Sequence, residues 1–120
     1  MQCRMVDIME VLTAALTGAA GVCQAYPKQV ASLPLVVCQE SQNREYRQAE
    51  GAEYLTEVIV QLDVLAGSMS TLNDITEIID TTLGGLGMRR TQCRDMAEAE
   101  CRKKRLLYRA LLDASGKIYQ

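Results

Sequence analysis

The chain has 120 residues, 48% of them apolar and 23% charged, with a formal net charge of −2. That length supports one domain with a single core, and the composition is too apolar for an intrinsically disordered chain. A slightly negative chain has no global field to draw it onto nucleic acid, and the absence of His, Phe and Trp removes the usual near-neutral general base, the commonest metal ligand and most stacking platforms.

The first element is a helix. Met5, Met9, Leu12 and Leu16 recur at helical spacing, Ile8 and Ala15 widen the stripe, Asp7 and Glu10 lie off it, and Gly18 and Gly21 end it. A secretory signal is not expected here, because Asp7 and Glu10 stand between Arg4 and the apolar run, and that run is too short to span a bilayer. VCQAY is a short strand stopping at Tyr26-Pro27, and the prolines bounding PKQVASLP exclude a long helix. The next strand starts at Pro34 or Leu35 and runs to about Glu40, followed by the polar stretch SQNREYRQAEG at 41–51.

A long strand of roughly twelve residues begins at Tyr54. Tyr54, Val58, Val60, Leu62 and Val64 share one face, while Glu57, Gln61 and Asp63 share the other with Leu55, Ile59 and Leu65. That second face is only half polar and is expected to meet another subunit. Ser68 or Ser70 then caps a helix with Leu72, Ile75, Ile79 and Leu83 inward and Asp74, Glu77 and Asp80 outward, with acids near its start to suit the dipole and GGLG as its stop. The last third reads as two strands joined by AEAE, the second with apolar residues on both faces of its far half. The expected fold is α+β: an antiparallel sheet of about four to five strands with two helices on one face, in a single domain over 1–120.

No catalytic constellation emerges. Asp74, Glu77 and Asp80 recur at the three-residue spacing of a solvated helix face, and GGLG follows a helix where a phosphate loop would open one. Cys3, Cys23, Cys38, Cys93 and Cys101 show no paired ligand spacing and an odd count, which fits reduced thiols better than a disulfide framework or a zinc site. The run RKKR at 102–105 is the strongest charge cluster. In a strand Arg102 and Lys104 share one side and Lys103 and Arg105 the other; with Arg89, Arg90 and Arg94 they form either a phosphate-contacting patch or a solvated strand end balanced by Glu98 and Glu100.

Taken in order, Tyr26-Pro27, LPLVVCQESQNR, EYLTEVIVQLDVLAGS, IIDTTLGGLGMRR and KRLLYRALLD resemble the tail-terminator or tail-completion proteins of long-tailed bacteriophages over nearly the whole chain. Met88 stands where that family often has an aromatic residue after the glycine of the turn. The resemblance implies a structural, non-enzymatic virion protein of the tail and neck, assembled in the host cytoplasm. It would form a hexameric ring at the head-proximal end of the tail tube, end tube growth and join the tail to the head-neck connector. Its partners would be further copies of itself, the tail tube protein and the connector (stopper) protein, with genomic DNA passing through the lumen without specific binding and with no membrane, cofactor or metal. The alternative is a small α+β nucleic-acid-binding module or another head-tail connector component.

Within the ring reading, the polar stretch is either a surface loop or an arm that leaves its own domain and lies on the neighbour through Arg44, Tyr46 and Arg47. Leu55 and Ile59 join it as interface residues, and Arg102 and Lys104 belong to a subunit seam or balance the nearby acids.

Overall fold

The computed structural model describes residues 5–27, 32–47, 54–96, 101–113 and 117–118, with the side chains of 5, 6, 45–47 and 54 outside that description. Its elements follow the expected order: α1 (Met5–Ala15), β1 (Gly21–Cys23), β2 (Leu35–Arg47), β3 (Tyr54–Ala66), α2 (Met69–Gly85), β4 (Arg89–Met96) and β5 (Arg102–Leu112). The class is α+β, with a five-stranded sheet in the order β1-β2-β3-β5-β4.

Three of the four pairings are antiparallel, but β1 runs parallel to β2, so the sheet is mixed where an antiparallel one was expected. The connection over 24–34 is long enough to return the chain to the end of the sheet from which β1 entered, and a tight hairpin turn cannot do that.

Both helices contribute to one core. Ile8, Leu12 and Leu16 of α1 and the following turn, at intervals of four, pack with Leu72, Ile75, Ile79 and Leu83 of α2 over Val58, Val60, Leu62 and Val64 of β3 and Leu106, Tyr108 and Ala110 of β5. The α1 stripe is narrower than the sequence suggests: Met9 is half-buried and Ala15 is exposed. Each fully buried Leu or Ile contributes about 1.5–3 kcal/mol, so this stripe is what holds α1 to the sheet.

The ends of α2 are closed by the residues expected to close them. Ser68 is the N-cap, its hydroxyl accepting from the Thr71 N–H at 3.2 Å. At the other end Gly87 takes φ +96°, its N–H donates to the Gly84 carbonyl, and the Met88 N–H reaches back to the Leu83 carbonyl, both at 3.0 Å. These are the two bonds of a Schellman stop, and Met88 and Leu83 are both buried in the same core. One expectation fails here: the first turn of α2 carries no acid, since Asp74 lies more than a turn inside.

The largest correction concerns 41–51. Instead of ending near Glu40, β2 continues to Arg47, and its residues pair one by one with β3 as far as Arg47 opposite Tyr54, past a bulge between Glu40 and Gln42. The chain therefore does not leave its domain over 41–47; it stays hydrogen-bonded to β3. The first half of β3 needs a ladder partner for its backbone on this side, and polar residues supply N–H and C=O groups as well as apolar ones do. Strands of thirteen residues span about 43 Å at a rise of ~3.3 Å per residue, which accounts for extents of 50 × 26 × 25 Å.

Candidate functional site

The face of the sheet turned away from the helices carries the ionic chemistry of the protein. Strand register decides its membership, since directly paired residues project to the same side. Among the described residues it carries Arg44, Lys103, Arg105, Arg109, Arg89 and Arg94, against two acids, Glu57 and Asp63. In a chain of net charge −2, the described side chains of this face are thus predominantly basic.

Asp63 stands directly opposite Arg105 and is fully buried at 0% exposure. Arg105 donates to both carboxylate oxygens, Nε to Oδ1 at 2.8 Å and Nη2 to Oδ2 at 3.1 Å. The Tyr26 hydroxyl donates to Oδ2, and the Lys103 ammonium lies 3.8 Å from it while sitting 4.9 Å from the centre of the Tyr26 ring. Burial pushes the Asp63 carboxyl up, but the bonds from Arg105 and Tyr26 outweigh it and hold the group below the usual carboxylate range. The phenol of Tyr26 is driven up by burial and by the same carboxylate. The network pins the segment after β1 onto the sheet.

Glu57 forms a second ionic centre. Arg44, directly opposite on β2, donates to Oε1 at 2.9 Å, and Arg109, one step diagonal on β5, donates to Oε2 at 2.6 Å. The Arg109 bond leads in lowering the Glu57 pKa. Between the two centres lie Ile59 and Leu107, both half-buried.

Strand β4 completes the face at an edge of the sheet, where Arg89 through Asp95 are exposed. Arg89 stands opposite Arg109 and Arg94 opposite Arg105, two like-charge pairs that disfavour the strand pairing. Glu57 and Asp63 take up the β5 members. Among the described residues Arg89 and Arg94 have no carboxylate partner; the Arg94 Nε donates to the Met96 sulfur at 3.4 Å.

The residues expected at an interface do not converge. Arg44 is on this face and exposed, yet already holds Glu57. Tyr46 and Arg47 pair through their backbones with Leu55 and Tyr54, and their side chains lie outside the description. Leu55 is buried within the subunit, Ile59 is half-buried and Arg102 is exposed at the strand start. Lys104 points to the helix side, 3.3 Å from the Asn73 amide oxygen and 3.7 Å from Asp95. Glu98 and Glu100, its expected partners, lie outside the described residues.

Sequence reasoning missed Asp63, Glu57, Arg105 and Arg109 as partners. The available signal was an acid on an otherwise apolar strand face and an arginine of matching parity in β5. Asp80, read as solvated, accepts from the Tyr108 hydroxyl and from Arg90 at 2.6 Å, tying α2 to β4 and β5. The Cys38 thiol is buried and pushed up to about 12, burial being the main cause, which leaves no thiolate near neutral pH. Among the described residues no three His, Cys, Asp or Glu are grouped to hold a metal ion, and no helix is long and apolar enough to cross a membrane.

No family model matches the chain, and no curated protein matches it. Among solved structures, its fold is similar to that of a chain in the virion of a native gene transfer agent particle, with a TM-score of 0.59 and 17% identity over 87% of this chain and 85% of that one.

Proposed function

We propose that the chain is a structural protein of a phage-like virion and, more specifically, the subunit of a tail-terminator ring of six copies at the head-proximal end of the tail tube. The observation that carries the reading is the fold shared, across most of both chains, with a component of a gene transfer agent virion. The ordered motifs described above add the finer assignment. Among the described residues the two buried carboxylates, Asp63 and Glu57, are each held by arginines of the same sheet face, an arrangement that suits a structural role.

The test is a mass measurement on purified protein, alone and with tail tube protein. A ring reads about six times the 13.3 kDa subunit and caps tube ends in negative-stain images. A chain that neither assembles nor binds tube ends sinks the reading. The competing nucleic-acid module gains one observation, the excess of cations on the helix-free face. Four of those six cations already hold Asp63 or Glu57, which weakens it.

A further inference from the structure

The domain has two layers of opposite charge. The helix-free sheet face carries Arg89 and Arg94 without a carboxylate partner among the described residues, beside half-buried Leu107. The opposite surface is the outer side of α2, turned away from buried Leu72, Ile75, Ile79 and Leu83. There Asp74 and Glu77 are exposed around half-buried Ile78, and together with Thr81 and Thr82 they line a shallow depression. Each surface is an apolar centre edged by one sign of charge, and the signs are complementary.

From this complementarity we infer that the β4 edge and adjoining sheet face of one copy dock on the outer side of α2 of a second copy. Arg89 and Arg94 meet Asp74 and Glu77, and Leu107 meets Ile78. The two like-charge cross-strand pairs support the direction of the argument, because Glu57 and Asp63 neutralise only their β5 members, and an incoming carboxylate supplies the β4 members Arg89 and Arg94 with a counter-charge. Because the two surfaces lie on opposite sides of the domain, the contact is heterologous. A dimer leaves one of each kind open, and repetition continues to a closed ring or a filament. The inference rests on the proposed ring for the number of copies and on the charge layout for the surfaces.

Two charge-reversed variants test it. Asp74→Lys with Glu77→Lys makes both surfaces basic; Arg89→Glu with Arg94→Glu makes both acidic. In sedimentation velocity each variant alone is expected to run as a folded monomer under conditions in which the wild type assembles. An equimolar mixture is expected to assemble again, since every contact then joins a basic surface to an acidic one. All four positions are exposed, and unfolding midpoints near that of the wild type confirm folding. The inference is overturned if either variant alone assembles like the wild type, if the mixture stays monomeric, or if the wild type does not self-associate. It is also overturned if the sheet variant loses duplex DNA binding that the helix variant keeps, which reassigns the face to a polyanion. A wild type that caps tube ends while the variants assemble unchanged sinks this contact and leaves the ring reading standing.

Discussion

Asp63 and Arg105, forty-two positions apart, face each other across β3 and β5 in a two-bond ion pair whose carboxylate is sealed from solvent. Removing Asp63 takes away the carboxylate that accepts from Arg105 and Tyr26, while Arg105, 29% exposed, can still be reached by water. Asp63→Ala is therefore expected to lower stability by about 1–3 kcal/mol, read as a lower urea midpoint at unchanged slope. A loss under about 1 kcal/mol would show that water replaces these bonds.

The same group sets an acid limit. The folded-state pKa of Asp63 is depressed, as is that of Glu57, so the unfolded chain binds more protons than the folded one once pH falls below about 5. Their stabilisation is present above the unfolded carboxylate pKa, near 4, and is lost as pH falls through the folded values. Unfolding midpoints measured between pH 7 and pH 3 should drop toward acid, and Asp63→Asn should flatten that dependence. An unchanged slope in the variant contradicts the assignment.

The clasp from α2 to the sheet is Tyr108 with Asp80. Tyr108→Phe keeps the buried ring and removes the donor. Asp80 retains Arg90 and is partly exposed, so the expected loss is about 1 kcal/mol, below the range for a wholly buried charged acceptor. A double-mutant cycle with Asp80→Asn isolates the coupling.

Helix closure gives a local pair of tests. Ser68→Ala removes the N-cap acceptor and is expected to cost about 1 kcal/mol. Gly87→Ala places a Cβ at φ +96° and is expected to cost about 1–2 kcal/mol. Thermal melts should order wild type above both, and equal melting temperatures for all three would remove the capping argument.

For the distal hairpin, Tyr46→Ala with Arg47→Ala is expected to reduce assembly while leaving the unfolding midpoint nearly unchanged, since the backbone ladder to Leu55 and Tyr54 does not depend on those side chains. Full-sized rings from this variant would limit the subunit contact to other surfaces.

The sequence by itself determined the number, order and type of the seven elements, because apolar periodicity and Ser, Gly and Pro signals act within a few residues of one another. The serine cap, left between Ser68 and Ser70, the glycine stop within GGLG and the two-faced β3 are all of this local kind. It also placed Glu57 and Asp63 on the same side of β3, through the two-residue period of a strand. Only the tertiary structure decided that β1 runs parallel to β2, that β2 continues through a polar stretch to Arg47, and that Asp63 is buried against Arg105. The continuation was invisible because hydrophobic alternation says nothing of a strand whose side chains are polar on both faces, while its partner's need for backbone hydrogen bonds says a great deal. The basic face was hidden for a related reason: its cations are scattered from Arg44 to Arg109, and only strand register, which joins residues distant in sequence, brings them to one side of the sheet.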